Sequence, residues 1–225
     1  MQTSLGKRKA DGTESIAAKP PTVGAKRVCQ TDVKEDLPEC VTYDASCVPK
    51  DRHDELLARL LEEVMVQQGT VRTRVGPKPE PRLSAWCARD PASASYTYSG
   101  KRNVAQPLTP VLRELLELVE HTLGETFDGV LVNVYRDGKD SISYHSDDEK
   151  NIDTTGIASL SLGAKRRFLL RDKQDHSRRW EFSLGGGDLL HMRAPCQELY
   201  EHSVPKQASV TDMRVNLTFR RLKRQ

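Results

Sequence analysis

NVYRDGKDSISYHSDD, residues 133–148, decides how the rest of this chain is read. The residues leading into it, Val130-Leu131-Val132-Asn133-Val134-Tyr135, are β-branched and aromatic-rich and break at Asp137-Gly138. Extended character resumes at Ile142-Ser143-Tyr144-His145, so the stretch predicts two strands joined by a turn. In a strand, residues i and i+2 point to the same face, which lets His145 and Asp147 reach one point in space. An imidazole nitrogen and a carboxylate oxygen converging there are two ligands for a metal. An HxD pair alone is common, and the rest of the chain has to supply the missing parts.

Downstream, short extended segments follow in quick succession. Ile157 to Leu162 ends at Gly163, Arg167 to Arg171 comes next, and Arg179 to Leu184 alternates apolar with polar. Gly185-Gly186-Gly187-Asp188 turns the chain before Leu189 to Met192, and Met213 to Arg220 reads as the last strand. The glycine triplet lacks the Lys-Ser/Thr of a phosphate loop and precedes a strand rather than a helix. Upstream, Leu56, Leu57, Leu60, Leu61 and Val64 recur at helical spacing, predicting a helix over 51–66. Thr109-Pro110 is an N-cap followed by proline at the first helical position, and the stripe Leu112, Leu115, Leu116, Val119, Leu123 closes at Gly124. Helices followed by many short strands predict an α+β fold, an antiparallel double-stranded β-helix (jelly roll) with N-terminal helices packed on one face.

A second histidine would complete a two-histidine, one-carboxylate set, which suits non-haem Fe(II) and leaves coordination positions open. His176, His191 and His202 are the candidates. His176 lies in a charged loop, His191 in the apolar run Leu189-Leu190-His191-Met192, and His202 opens a short strand ended by Pro205. In the final segment Arg214, Asn216, Thr218 and Arg220 alternate with Val215, Leu217 and Phe219. One face is apolar; the other places two guanidiniums beside an amide and a hydroxyl, a clamp for a dicarboxylate.

Between the helices, Arg72, Arg74 and Lys78, interrupted by Gly76, Pro77 and Pro79, predict a basic, stiffened loop able to contact phosphates. In Tyr96-Thr97-Tyr98-Ser99-Gly100 the two rings share one face and serve either as packing or as a stacking platform for a base. Residues 1–48 are polar and poor in large apolar groups and read as a disordered tail, with the domain spanning 49–225. The tail's Lys7-Arg8-Lys9 is a solvated charge run or an import signal. A net charge of +3 sets up no global basic field, and five cysteines without CxxC spacing argue against a disulfide framework or a zinc ribbon. No apolar run approaches the length of a spanning helix, so no membrane partner is expected.

HSDDE, a later histidine, EPRLSAW with YTYSG, and above all RVNLTFR near the C-terminus together resemble the AlkB-type Fe(II)/2-oxoglutarate-dependent dioxygenases. The similarity runs from about residue 56 to 222. It implies that His145, Asp147 and His202 hold Fe(II), with 2-oxoglutarate and O2 as co-substrates. Arg214 would then meet the distal carboxylate of 2-oxoglutarate, helped by Asn133 and Tyr135, and Arg220 with Asn216 would serve the carboxylate nearer iron. It further implies oxidative demethylation of N1-methyladenine and N3-methylcytosine in DNA or RNA, coupled to decarboxylation of 2-oxoglutarate to succinate. Tyr96, Tyr98, Ser99 and Glu149 would line the base pocket, and Arg72 and Arg74 would meet the nucleic-acid backbone. The segment ARDPASAS, ahead of Tyr96, is longer and more polar than the family pattern. The resemblance also implies a monomer with a nuclear, or nuclear and cytoplasmic, location. Two rival readings are a dioxygenase of this fold acting on protein or lipid, and a non-enzymatic module that binds methylated nucleic acid.

Overall fold

The computed structural model describes residues 1, 29–30, 37–73, 75–94, 96–98 and 101–223, with backbone alone at 29–30, 72–73, 96–98 and 101–103. The N-terminal half contributes β1 (Cys29–Gln30), β2 (Val41–Asp44), α1 (His53–Glu63), β3 (Gln67–Thr73), β4 (Gly76–Ala88), β5 (Tyr96–Tyr98), β6 (Lys101–Asn103), β7 (Gln106–Pro107) and α2 (Pro110–Leu123). The C-terminal half contributes β8 (Gly129–Tyr135), β9 (Ile142–His145), β10 (Ile152–Gly163), β11 (Arg166–Asp172) and β12 (Arg179–Leu184). It ends with β13 (Asp188–Arg193), α3 (Cys196–Leu199), β14 (Tyr200–Val204) and β15 (Arg214–Leu222).

A major sheet in the order β2-β13-β10-β15-β8-β4-β3, with β7 beside β4, faces a minor sheet in the order β1-β12-β11-β14-β9. Pairing is antiparallel except for β1 with β12 and β4 with β7. This is the jelly roll expected, and strand alternation explains why it forms. The outer face of the major sheet is apolar: Ala85 and Cys87 of β4, Val130, Val132 and Val134 of β8, Ala158, Leu160 and Leu162 of β10, and Val215, Leu217 and Phe219 of β15. Helices α1 and α2 bury their leucine stripes, Leu56, Leu60, Leu112, Leu115 and Leu116, against it. Thr109 caps α2 by accepting from the Leu112 amide at 3.4 Å, and Gly124 ends it with φ of 66°, a left-handed conformation that suits glycine.

The alternate residues of those same strands face inward and include polar rows. Registers place Ser84 opposite Asn133, Asn133 opposite Asn216, and Asn216 opposite Ser161 in one row across four strands. A neighbouring row sets Arg214 opposite Tyr135. A polar row inside a sheet sandwich is costly unless something polar fills the space, so this face is the wall of a site rather than of a core.

Three expectations need correction. The tail boundary at 48/49 falls inside the fold: β2 pairs with β13 through Val41↔Met192 and Leu189↔Asp44, and Cys40, Val41, Cys47 and Val48 are buried. A strand of only four residues inside a polar stretch gives too short a pattern to stand out. The basic loop at 72–78 belongs to a hairpin of β3 and β4 instead, with Thr70 opposite Pro79 and Arg72 opposite Pro77. Pro77, Pro79 and Pro81 share one N–H direction, and β8 joins β4 only from Leu83, so the prolines fall where β4 has an open side. The first helix is shorter than 51–66: a 3-10 turn over Lys50–Arg52 leads into α1, and Val64 is already extended.

Candidate active site and metal centre

His145 and His202 face each other across neighbouring strands β9 and β14, their ring centroids 4.3 Å apart. Strand β9 ends at His145, and Asp147 is reached over a bend rather than along the strand. The bend is held by Ser146 Oγ donating to the Tyr200 carbonyl at 3.0 Å and the Asp147 amide donating to Gln197 Oε1 at 2.9 Å. One ligand atom from each of His145, Asp147 and His202 lies within 4.8 Å of the others. Asp147 and His202 are buried and His145 is half-buried. Among the described residues no other group of three or more metal-ligating side chains comes together in this way.

Protonation favours metal binding. The Ser143 carbonyl lies 2.9 Å from His145 Nδ1, and a carbonyl only accepts, so Nδ1 carries the proton and Nε2 presents a lone pair. Nε2 points toward Asp147, 3.8 Å from Oδ1, and His202 Nε2 lies 3.8 Å from Oδ2. Burial, and then the neighbouring His145, push the His202 imidazole down to about 3, and burial likewise lowers His145. Burial alone would raise the Asp147 carboxyl, but Arg220, His202 and His145 more than offset it and hold it below the usual carboxylate range. Neutral imidazoles beside an ionised carboxylate are the donor set a divalent ion needs. Phe168 stacks on the His202 ring at 5.2 Å and fixes its plane.

The second half of the site is a buried cation. Arg214 is 1% exposed. Its Nη2 donates to Ser161 Oγ at 2.7 Å, while Nε and Nη1 have no hydrogen-bond partner among the described residues. Burial lowers the guanidinium to about 10, which leaves it charged at neutral pH. A dry cation with unmatched donors is the signature of a missing anion. Tyr135 presents its ring to Arg214 at 5.3 Å on one side and to Arg166 at 5.7 Å on another. Arg166, completely buried, donates to the carbonyls of Asp137, Asp140 and Pro205, tying the β8–β9 loop and the end of β14 to β11. A dianionic co-substrate and a divalent metal therefore both fit the residues present.

The other expected site residues fall as follows. Asn133 accepts from Arg82 Nε at 2.9 Å, and Asn216 donates to Ser159 Oγ at 2.7 Å and the Leu160 carbonyl at 3.2 Å. Arg220 donates to Asp147 Oδ1 at 2.5 Å and Glu149 Oε1 at 3.0 Å, so it braces a metal ligand and its neighbour. Glu149 lines the cavity, its carboxyl raised by burial against the opposing pull of Arg220. Arg74 and Ser99 lie outside the described residues, as do the side chains of Arg72, Tyr96 and Tyr98. His191 is on the other face: it pairs with Ala158, and its Nε2 lies 3.4 Å from Glu125. His176 is exposed.

Sequence reasoning missed Glu80, Arg82 and Ser84, which enter the cavity from alternate positions of β4. The prolines around them masked the strand, though the i, i+2 spacing was there to see. Gln197 was missed too; nothing local marks it as a support for Asp147.

The sequence model of the 2OG-Fe(II) oxygenase superfamily matches residues 41–220. The alpha-ketoglutarate-dependent dioxygenase alkB homolog 3 of Rattus norvegicus is 35% identical over 220 residues, covering 93% of this chain and 68% of that protein. Its Homo sapiens counterpart is 34% identical over 220 residues, 93% of this chain and 70% of that protein. The DNA oxidative demethylase ALKBH2 of Mus musculus is 39% identical over 139 residues, 58% of each chain. The solved structure of OsALKBH1 shares the fold, with a TM-score of 0.55 and 16% identity over 83% of this chain and all of that one. A buried His-Asp-His cluster and a buried arginine with unmatched donors, on a jelly roll with these relatives, place the chain among the AlkB-type members of the 2OG-Fe(II) oxygenase superfamily, dioxygenases that use Fe(II), 2-oxoglutarate and O2.

Proposed function

We propose that this chain demethylates alkylated bases, N1-methyladenine and N3-methylcytosine, in DNA or RNA. The observation that carries the reading is the shared cavity: the three-ligand metal cluster stands on one wall, and Glu80, Arg82, Asn133, Tyr135 and Asn216 of the major sheet line the other. The relatives named DNA oxidative demethylase support nucleic acid over protein or lipid as substrate.

His145, Asp147 and His202 would hold Fe(II), and Arg214, with Tyr135 and Asn133, the distal carboxylate of 2-oxoglutarate. When bound, the metal with its co-substrates supplies the oxidation that removes the N-methyl carbon as formaldehyde while 2-oxoglutarate becomes succinate and CO2. The chain's own contribution is positioning. Arg220 keeps Asp147 ionised, Gln197 holds its backbone in place, Phe168 fixes His202, and Arg166 holds the two loops that frame the clamp. Arg220 and Asn216 stand at the metal end of the clamp wall. Tyr96, Tyr98 and Ser99 would cover the flipped base, Glu149 would contact it, and Arg72 and Arg74 would meet the backbone. We place the enzyme in the nucleus, on the resemblance of HSDDE and EPRLSAW with YTYSG to the nuclear repair members of the family, and read it as a monomer.

Mass spectrometry of methylated single- and double-stranded oligonucleotides after incubation with protein, Fe(II) and 2-oxoglutarate tests this. Loss of one methyl per succinate formed is expected. Succinate formation with every methylated base intact would move the substrate to another class, and no succinate at all would favour a binding module.

A further inference from the structure

Two buried carboxylate oxygens in the cavity have no hydrogen-bond partner among the described residues: Glu80 Oε2 and Glu149 Oε2. Each has an arginine beside it, and they differ in whether that arginine donates an aligned hydrogen bond. Glu149 accepts from Arg220 through its other oxygen at 3.0 Å. Glu80, 4% exposed, has Arg82 Nη2 at 3.3 Å but out of hydrogen-bond alignment, and Arg82 Nε is committed to Asn133. Glu80 lies two residues before Arg82 and four before Ser84, and all three line the cavity that holds His145, Asp147 and His202. A buried acceptor oxygen without an aligned hydrogen bond is costly to keep, and one that faces a substrate cavity is expected to find its donor there.

Resting on the demethylation reading above, we infer that Glu80 selects among lesions: it accepts from the exocyclic amine of a cationic methylated base and rejects a base of the same shape that presents a carbonyl there. N3-methylcytosine and N3-methyluracil are such a pair. The first is a cation near neutral pH and carries an amine at C4; the second is neutral and carries an oxygen in the same place. Glu80 would bond the first and set acceptor against acceptor with the second, which is discrimination by an unpaired polar group as well as by attraction. Glu149 also lines the cavity, but its other oxygen is already held by an aligned hydrogen bond from Arg220.

The test compares kcat/KM on single-stranded oligonucleotides carrying N3-methylcytosine or N3-methyluracil at one position. Wild type is expected to favour N3-methylcytosine. Glu80→Gln keeps the shape and removes the charge; N3-methylcytosine turnover should fall about ten-fold, the worth of one charge-assisted hydrogen bond, while N3-methyluracil stays within about two-fold or rises. An equal loss on both substrates would make Glu80 only the buried partner of Arg82 and overturn the inference, as would an unchanged preference. Thermal unfolding and Fe(II) binding check that the variant is intact. If Glu80→Gln does not fold, Glu80→Asp decides: its charge sits one methylene further back, so the preference should shrink at least about two-fold, and an unaltered ratio overturns the proposal. Failure of wild type to demethylate either oligonucleotide would overturn the underlying reading, and the inference with it; turnover without a Glu80 effect overturns the inference alone.

Discussion

At the scale of single residues, the two histidines on β13 and β14 make the sharpest contrast. His202→Ala removes a ligand from the three-atom cluster and is expected to abolish both Fe(II) binding and turnover. His191→Ala removes a buried ring beside Glu125 on the opposite face; it should cost roughly 1–3 kcal/mol of stability and leave the metal bound. Iron titration with denaturant unfolding of both variants checks this, and iron lost from the His191 variant alone would reverse the assignment. Arg214→Lys keeps the charge but loses the fork that presents Nε and Nη1, so half-saturating 2-oxoglutarate should rise roughly ten- to a hundred-fold, read from succinate production. These residues were legible because spacing exposes them: HxD on one side, alternating Arg214, Asn216, Thr218 and Arg220 on the other. Glu80 and Arg82 were not, because Glu80 sits between Pro79 and Pro81, Arg82 follows directly, and proline speaks for a turn. Which charged side chain is buried is decided by which strands close around the cavity, and that is a long-range fact. Arg166 was equally hidden: it shares an inward face with Phe168 and Leu170, but KRRFLLR does not say which of its arginines is dry.

At the scale of elements, both helices were readable from their 3.6-residue leucine stripes, and α2 also from its Thr-Pro start and Gly end. The hairpin of β3 and β4 was not, and its form bears on strandedness. Val75 at its tip is 79% exposed, with Gly76 and Pro77 following, so the tip offers one small apolar side chain rather than a large wedge. Evicting a base from a duplex leaves a gap to be braced, and a valine braces little of it. Single-stranded methylated substrates should therefore be repaired at least as well as matched duplexes at equal salt. Duplex turnover clearly above single-strand turnover, and dependent on Val75 in a Val75→Ala comparison, would show that the tip works as a wedge after all. The short strand β2 escaped detection for a different reason: Val41-Thr42-Tyr43-Asp44 becomes a strand only because β13 offers it an edge.

For the molecule as a whole, that edge strand puts residues 41–48 inside the folding unit. Val41 and Val48 are 4% and 2% exposed, and burying two valines is worth roughly 3–6 kcal/mol, a large part of a typical domain's net stability. A chain starting at Pro49 should melt far below one starting at Leu37; equal melting temperatures would return the boundary to where composition alone suggests it. The architecture was legible because strand alternation and turn residues act locally, whereas the contents of the cavity depend on which strands meet. One of those meetings has a mechanical side. Strand β9 is the last strand of the minor sheet, joined to β14 through a broken register that retains His202↔His145 and Val204↔Ile142. A metal gripping one histidine from each strand acts as a rivet through that weak seam, so chelation should fray the sheet from this border while the major sheet stays closed. Amide hydrogen exchange would show it as protection lost over 142–147 on metal removal and regained with a redox-inert divalent ion, with β8 and β15 unmoved; uniform protection across both states would mean the seam holds unaided.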